Sequence, residues 1–211
     1  MPEMYRYELY KPRGVSSRNA ALQWILRNPN LPGGVLYFGD DDNTYDLRLF
    51  EEIRWTKGVS MFPVGLIGSQ GISSPIVKEG KVIGFTDPWF EYRKFPVDMA
   101  GFAVSTRLLR AKKEGGRMPF KAGHEEDQFL RSLDLEMSEI EPKASGCSEV
   151  LVWHTKTIHT NKPTVRLHPD HADSSLRPLI NDVVKKGIVS ESKSGKEIPV
   201  CLKETCGTIK V

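Results

Sequence analysis

Residues 34–53 read GVLYFGDDDNTYDLRLFEEI. Residues 35–38 form a short apolar run, which is typical of a strand buried on both faces of a sheet. Leu47, Phe50 and Ile53 follow at helical spacing and mark an amphipathic helix. A strand, a turn and a helix in this order predict an α/β layer.

Three consecutive aspartates, Asp40, Asp41 and Asp42, occupy the turn between that strand and that helix. Adjacent carboxylates repel one another, and a divalent cation is the usual source of compensating charge. In open α/β sheets ligands bind beyond the carboxyl ends of the strands, so a parallel strand at residues 35–38 would present the triplet to a ligand. Hard oxygen ligands select Mg²⁺, Mn²⁺ or Ca²⁺, and a shell completed by phosphate oxygens is typical of nucleotide-diphosphate chemistry. The alternative is a structural turn whose side chains cap the next helix.

The composition of the whole chain limits the class of protein further. Its 211 residues suffice for one sizeable domain, and 39% hydrophobic and 27% charged residues are ordinary for a globular protein. The formal charge of +3 suits an anionic small ligand, and the lack of a long basic run argues against nucleic acid as a partner. No stretch of about 18 apolar residues exists, so no membrane-spanning segment is expected. Cys147, Cys201 and Cys206 predict neither a zinc site nor a disulfide framework, although they allow one bridge.

The flanking sequence continues the alternation of strands and helices. Helical spacing predicts helices at residues 17–27 and 125–133, and apolar runs predict strands at residues 59–67 and 149–153. The dipeptide Glu79-Gly80, which separates two β-rich runs, predicts a hairpin.

The C-terminal part of the chain differs in composition. From His154 to Val211 there is no Phe, Tyr, Trp or Met. Because a packed core needs large apolar side chains, we expect a loosely packed tail that is peripheral or partly disordered, with one short helix at residues 179–186. We therefore divide the chain into a domain at residues 1–163 and a tail at residues 164–211.

Arginine, histidine and aspartate residues outside the triplet are further candidates, and each has a structural alternative. Arg13 and Arg18 flank the start of a predicted helix, where they either are solvated surface residues or bind oxyanions. His154 ends a predicted strand, a place where histidine is more often structural than functional. Asp98 lies in the apolar run PVDMAGFAV and is costly to bury unpaired, so it either accepts backbone amides or binds polar ligand groups.

Three acids, Glu125, Glu126 and Asp127, crowd the first turn of the predicted helix at residues 125–133. Acids in this position stabilise the helix dipole by about 0.3–1 kcal/mol each. A carboxylate in a partly apolar cleft has instead a raised pKa, which suits a general base. Helical periodicity does not choose between Glu125 and Glu126 for that role.

Longer motifs carry a more specific signal. In chain order the sequence contains KPRGVSSRNAAL, FGDDDNTYDLRLFEEIRWTKGVSMFPVGLIG, FPVDMAGFAV, GHEEDQFL and EPKASGCSEVLVWHTKT. These motifs resemble the animal β-1,3-glucuronyltransferases over about residues 11–157. The resemblance implies a Rossmann-like nucleotide-diphospho-sugar transferase fold that lacks the opening strands of the family's longer catalytic domain. It also implies the transfer of glucuronic acid from UDP-glucuronic acid to the 3-hydroxyl of a terminal galactose, as in the proteoglycan linker.

The resemblance also assigns roles to individual residues. It makes Asp42 the Mn²⁺ ligand and Glu126 the catalytic base. It makes six residues donor-binding: Arg13, Arg18, Asp40, Asp41, His154 and Lys156. It makes three residues acceptor-binding or sugar-binding: Asp98, Arg93 and Trp89. In the implied mechanism the galactose hydroxyl displaces UDP in one inverting step, while a cation stabilises the charge on the leaving phosphate.

The implied partners are UDP-glucuronic acid, a galactose-terminated glycan and a second copy of the chain in a homodimer. Family members are anchored in the Golgi membrane by an N-terminal type II helix, which we do not expect within this sequence. One alternative is a non-catalytic fragment or a sugar-binding subunit. A nucleotidyltransferase that uses the same acids is a further alternative, but no Walker-type phosphate loop supports it.

Three positions depart from the family pattern. Ser73 replaces an acid that is usual in the acceptor site, and Ala122 replaces a basic residue four positions before Glu126. Lys156 replaces an arginine, which keeps the positive charge but loses the bidentate geometry of a guanidinium. We expect these departures to affect donor affinity and acceptor choice more than the type of reaction.

Overall fold

The structure is a computed structural model that describes residues 3–5, 7, 12–112, 116–155, 161–203 and 206. Its helices are α1 Val15–Arg27, α2 Arg48–Ile53, α3 Thr106–Ala111, α4 Glu125–Arg131, α5 Ala144–Cys147 and α6 Leu176–Lys185. Its strands are β1 Val35–Tyr37, β2 Asn43–Tyr45, β3 Val59–Met61, β4 Val64–Ile67, β5 Gly71–Lys78, β6 Lys81–Thr86, β7 Phe102–Ser105, β8 Ile140–Pro142, β9 Val152–His154, β10 Thr164–Arg166, β11 Ser190–Glu191, β12 Lys196–Glu197 and β13 Cys201–Leu202. The α/β class predicted from the sequence is confirmed.

The four-stranded sheet has the order β1-β7-β3-β8. β1 runs antiparallel to its neighbour β7, with Val35 opposite Ser105, so the parallel pairing considered for residues 35–38 is wrong. β1 is only half-buried, as suits an edge strand with an antiparallel partner. Because β7 is antiparallel to β3 and β3 is parallel to β8, β1 points in the same direction as β3 and β8. The acidic triplet therefore still leaves the sheet at the edge where three strands end.

The six-stranded sheet has the order β13-β6-β5-β4-β9-β2. Its β5–β6 hairpin turns at Glu79 (φ 52°) and Gly80 (φ 73°), and two consecutive residues with positive φ define the turn that matches the twist of paired strands. The predicted hairpin is confirmed. At the other side of the sheet, β9 lies between parallel β4 and antiparallel β2.

An aromatic cluster joins the end of β1 to α4. The ring of Phe38 packs edge-on against Phe129 at a centroid distance of 5.7 Å and against Phe102 at 6.1 Å. All three side chains belong to the largest apolar core of the protein. Phe129 follows Glu126 by about one helical turn, so this cluster holds the acidic first turn of α4 near the loop that follows Phe38.

The segment after residue 163 is packed, and the expectation of a loosely packed tail is wrong for the described residues 164–203. β10, β11 and β12 form a three-stranded parallel sheet, and α6 buries Leu176, Leu179, Ile180 and Val183 completely. These side chains share one apolar cluster with residues of the six-stranded sheet. Branched aliphatic residues provide this core in place of the missing aromatic ones. The division of the chain at residue 163 stays a prediction.

Cysteine pairing and hydropathy complete the description. The structure pairs Cys201 with Cys206 in a disulfide and leaves Cys147 as a buried thiol. Among the described residues, no helix is both long enough and apolar enough to span a membrane.

Two neighbouring valines of α6 test the packing of this segment. Val183 is fully buried and Val184 is 36% exposed. We expect Val183→Ala to lower the free energy of unfolding by about 2 kcal/mol, because two buried carbons are lost. Val184→Ala should be neutral or slightly stabilising, because alanine is the better helix former. Urea denaturation measures both; equal stabilities of the two variants would contradict the packed segment.

Candidate active site

The acidic loop after β1 does not cap the next helix. The carboxylate that accepts the first amide of α2 is Asp46, from Arg48 at 2.9 Å, and not one of the triplet. The loop is closed instead by the Tyr45 hydroxyl, which donates to the carbonyl oxygen of Asp40 at 2.7 Å. The structure therefore does not adopt the helix-capping turn, which was the structural alternative to a ligand site. Asp41 lies exposed in this loop.

Asp42 lies beside His154 because β2 pairs with β9. In that antiparallel register Asn43 is opposite His154. The backbone amide and the hydroxyl of Thr155 both donate to the carbonyl oxygen of Asp42, at 3.1 and 2.8 Å. The Asp42 carboxylate is then 3.2 Å from Nε2 of His154 and 59% exposed. Backbone pairing thus fixes the position of a carboxylate that remains open to solvent.

Asp40 is paired with an arginine of α1. Gly14 has a φ of 72° at the start of α1, and this places Arg18 on the first turn of the helix. A guanidinium nitrogen of Arg18 is 2.5 Å from Oδ1 of Asp40, and the other terminal nitrogen donates to the carbonyl oxygen of Arg13 at 3.3 Å. The structure brings these three predicted donor-binding residues together, and Arg13 itself is exposed.

Asp98 accepts a backbone amide, which is the first of the two options that the sequence left open. Its Oδ1 accepts from the amide of Ala100 at 2.9 Å and so begins the short 3-10 helix Met99–Gly101. Burial raises the pKa of Asp98, His154 lowers it, and Asp87 and Asp40 raise it further. Asp98 is therefore coupled electrostatically to His154 and to Asp40 of the acidic loop.

Glu126 is also coupled electrostatically to Asp98. Burial raises the pKa of Glu126 to about 7, Glu125 and Asp98 add to this rise, and Arg93 opposes it. A carboxyl group with such a pKa is half protonated near neutral pH and can accept or donate a proton. Asp98 is therefore coupled both to Glu126, the residue predicted as the base, and to His154, the neighbour of Asp42.

The acids beside Glu126 have different surroundings. Asp127 is buried, and its carboxylate accepts from the backbone amide of Phe95 at 2.9 Å and from Nε of Arg131 at 2.8 Å. Glu125 is half-buried at the start of α4. Asp127 therefore fixes α4 to the chain before Asp98.

Trp89 and Arg93 lie on the loop between β6 and Asp98. Trp89 is 56% exposed, so its ring is available to a ligand. Arg93 donates to the carbonyl oxygen of Gly123 at 2.6 Å, which ties this loop to the approach to α4. Both residues lie on the same loop, and the charge of Arg93 acts on Glu126.

The sequence analysis did not identify Asp87 as part of this site. Asp87 is 1% exposed and follows β6 directly. It accepts from the hydroxyl of Ser73 at 2.6 Å and from the backbone amide of Trp89 at 2.7 Å. The signal available in the sequence was an acid at the end of an apolar strand, which is the same signal that identified the aspartate triplet.

Lys156 and Ala122 are the two remaining positions that were singled out in the sequence. Lys156 lies outside the described residues. Ala122 is half-buried before α4. Burial lowers the pKa of the nearby His124, and the positive charges of Lys121 and Arg93 lower it further. Positive charge is thus present near α4, although position 122 carries none.

The donor set of the acidic loop fits a hard divalent cation that a nucleotide helps to bind. Among the described residues, no three His, Cys, Asp or Glu side chains form a cluster that could hold a metal alone. The loop offers instead the exposed carboxylate of Asp42, while Asp40 is engaged by Arg18. One carboxylate with phosphate oxygens and water is a common coordination for Mg²⁺ and Mn²⁺.

A mixed α/β fold with an acidic loop at a strand end is consistent with the class of enzymes that act on sugar nucleotides. Comparison with known proteins identifies the family. Residues 1–158 match Glycosyltransferase family 43. The chain therefore belongs to this family, and the predicted class of fold is confirmed.

Three relatives illustrate the degree of similarity. The chain is 52% identical over 196 residues to galactosylgalactosylxylosylprotein 3-beta-glucuronosyltransferase S of Drosophila melanogaster, covering 92% of this chain and 47% of the relative. It is 51% identical over 159 residues to the P protein of the same organism, covering 74% and 33%. It is 47% identical over 159 residues to protein 3 of Homo sapiens, covering 69% and 47%. The chain thus spans about half the length or less of these relatives.

The similarity to the S protein extends into the C-terminal segment. An alignment that covers 92% of the chain is longer than the family match at residues 1–158 and must include part of residues 164–211. The packed segment is therefore shared with at least one relative.

Two substitutions with opposite effects test the electrostatic environment of Glu126. Asp98→Asn should lower the pKa of Glu126, because a neighbouring negative charge is removed, and Arg93→Ala should raise it. Carbon-13 NMR titration of the Glu126 carboxyl group should give a midpoint near about 7 in the unmodified protein. Glu197→Gln, in β12, is the control and should leave the midpoint unchanged. One common midpoint for all four proteins would contradict the arrangement.

Proposed function

We propose that this chain carries a glucuronosyltransferase activity that moves glucuronic acid from UDP-glucuronic acid to the 3-hydroxyl of a terminal galactose. The observation that supports the proposal is the electrostatic coupling of Asp98 both to Glu126 and to His154, whose Nε2 is 3.2 Å from the Asp42 carboxylate. A proton acceptor and a site for a charged leaving group must lie in one cleft if an alcohol is to displace a nucleotide.

Glu126 is the general base of the proposed reaction. A base works best when its pKa lies near the working pH, and burial brings the pKa of Glu126 to about 7. Glu126 removes the proton from the galactose 3-hydroxyl as the oxygen attacks the anomeric carbon of the donor. The bond between that carbon and the β-phosphate oxygen breaks, and UDP leaves with the electron pair. A single displacement inverts the α-linked donor to a β-linked product.

The donor is held by the residues around the acidic loop. Arg18 and Arg13 present positive charge and donors at the start of α1 to the diphosphate and the glucuronate. His154 adds a donor next to Asp42. Asp42 would hold Mn²⁺, which when bound supplies positive charge to the leaving β-phosphate. Asp41 is proposed to contact the ribose, Asp40 the sugar and Lys156 the phosphate.

The acceptor is proposed to bind next to Glu126, in contact with Trp89 and Arg93. The exposed ring of Trp89 offers an apolar surface on which the flat face of a galactose can pack. Arg93 and Asp98 offer a donor and an acceptor for sugar hydroxyls.

The names of the relatives support the acceptor class. Their shared name specifies a galactosylgalactosylxylosylprotein, which is a protein that carries a glycan ending in galactose. We propose the same class of acceptor here, in proteoglycan linker or glycoprotein glycan synthesis. Mn²⁺ dependence, the homodimer and the Golgi membrane location implied by the resemblance stay predictions.

The first test compares Glu126→Gln with Glu125→Gln in an assay with radiolabelled UDP-glucuronic acid and a digalactosyl acceptor. We expect Glu126→Gln to lower kcat about 10²-fold or more, because the proton acceptor is lost, and Glu125→Gln to retain most activity. In the unmodified protein, kcat/KM should fall as pH falls through about 7, since protonated Glu126 cannot act as a base.

A stability measurement separates loss of chemistry from loss of folding. The pKa of Glu126 is raised from its ordinary 4.5 to about 7, so its contribution to stability falls as pH rises through this window. At a pH above about 7, Glu126→Gln should therefore unfold at the same temperature as the unmodified protein or a higher one. An active Glu126→Gln protein, or a folded unmodified chain without activity, would contradict the proposed function.

The second test addresses the metal. Millimolar UDP with Mn²⁺ should raise the melting temperature of the chain, because a ligand that binds the native state stabilises it. Asp42→Asn should remove most of the Mn²⁺-dependent part of this rise. Asp46→Asn, which changes a half-buried acid just before α2, should retain it. An equal rise in EDTA and in Mn²⁺ would contradict a role for the cation, and no rise at all would favour a chain that does not bind the donor.

A further inference from the structure

Asp87 is the most buried carboxylate near the proposed acceptor side of the site. Its side chain is 1% exposed, and burial raises its pKa while Ser73, Trp89 and Arg93 lower it. The β5–β6 hairpin is paired up to Ser74 and Thr86. Asp87 is therefore not needed to form the hairpin.

The first oxygen of Asp87 fixes the Trp89 backbone. Oδ1 accepts from the amide of Trp89 at 2.7 Å, a bond that closes a tight turn through Pro88. The turn is packed from the other side by Gly68, whose φ is 56° and where an added Cβ would lie 2.4 Å from Pro88. The Trp89 backbone is therefore held by Asp87, and the preceding Pro88 is packed against Gly68, while Trp89 remains 56% exposed.

The second oxygen of Asp87 reaches Asp98 through Ser73. Oδ2 accepts from the hydroxyl of Ser73 at 2.6 Å, and the oxygen of that hydroxyl accepts from the backbone amide of Asp98 at 3.3 Å. Ser73 is itself 2% exposed. The carboxylate of Asp87 thus accepts directly from Trp89, the residue with the exposed ring, and is linked to Asp98 through Ser73.

We propose that Asp87 is a positioning residue for the acceptor: it fixes Trp89 and Asp98 relative to each other so that an aromatic ring and a carboxylate bind one galactose. This inference depends on the proposed function only for the identity of the bound sugar, galactose. A ring face packs on the apolar face of a pyranose, and a carboxylate accepts its hydroxyls, but both must be at a fixed separation to bind the same sugar.

The polarity of the chain of hydrogen bonds requires an anion at position 87. The Trp89 amide and the Ser73 hydroxyl both donate to Asp87, and the Ser73 oxygen is already occupied by the Asp98 amide. A carboxylate accepts on both oxygens, whereas an asparagine presents one oxygen and one NH₂ group. Asparagine at this position satisfies Trp89 and leaves the Ser73 hydrogen without its acceptor.

The test measures acceptor binding and donor binding separately. Isothermal titration with a digalactosyl acceptor should show a dissociation constant about tenfold higher for Asp87→Ala and about threefold higher for Asp87→Asn, because asparagine keeps one of two bonds. Ser73→Ala should behave like Asp87→Asn, and the double variant Ser73→Ala with Asp87→Asn should be no weaker than either alone. The dissociation constant for UDP with Mn²⁺ should change less than twofold in every variant.

Glu141→Ala is the matched control for a purely structural role. Glu141 also accepts two donors with one carboxylate, from the amides of Lys57 and Gly58 at 2.8 and 2.7 Å, but it lies in the other sheet. It should lower the melting temperature to an extent similar to Asp87→Ala and leave acceptor binding unchanged. If Asp87→Ala does not fold, Asp87→Asn and Ser73→Ala decide the question.

Each outcome of the titration either supports or overturns the inference. Asp87 variants that bind the acceptor as tightly as the unmodified chain overturn the inference, and so does equal weakening of acceptor and UDP binding. A folded unmodified chain that binds no digalactoside also overturns it. A chain that binds the acceptor in an Asp87-dependent manner but transfers no glucuronic acid supports the inference and contradicts the proposed function.

Discussion

The arrangement of the site depends on aromatic packing between the end of β1 and α4. Phe38 is the last apolar residue before the acidic loop, and its ring lies edge-on to Phe129, with Phe102 completing the cluster. Edge-to-face pairs contribute about 0.5–1.5 kcal/mol beyond the burial of their surface. Because Phe129 follows Glu126 by one helical turn, this contact holds an acid of α4 beside a loop that is about 90 residues distant in sequence.

Several acids that repel one another lie around this contact, and basic side chains offset part of their negative charge. Burial raises the pKa of Asp87, Asp98 and Glu126, so the charged forms of all three are held against a cost in stability. Asp40 is paired with Arg18. Such groups of perturbed acids are common in active sites, where a raised pKa makes a carboxylate basic enough to accept a proton. The burial that destabilises these charged acids therefore also gives Glu126 the raised pKa that the proposed reaction needs.

Local signals in the sequence were sufficient for the elements and for much of the site. The Glu79-Gly80 turn, the strand before the acidic triplet and the helix at α4 each follow from short-range chemistry, and the structure has all three. The antiparallel partner of β1 could not be read from residues 35–38, because strand direction depends on which distant segment supplies the hydrogen bonds. The packed C-terminal segment was missed because only aromatic residues were taken as a sign of a core, whereas α6 packs through leucine, isoleucine and valine. Asp87 was missed because its partners, Ser73 and Asp98, come together only through the β5–β6 hairpin and the loop after it.

The central claim is that the cation site at Asp42 and the base at Glu126 belong to one cleft. Paramagnetic relaxation by Mn²⁺ measures this directly, because broadening of a carboxyl carbon-13 signal falls steeply with distance from the ion. With UDP and Mn²⁺ bound, the Glu126 and Asp98 signals should broaden strongly at Mn²⁺ levels that leave Glu197, in β12, sharp. Equal broadening of Glu126 and Glu197 would contradict the account.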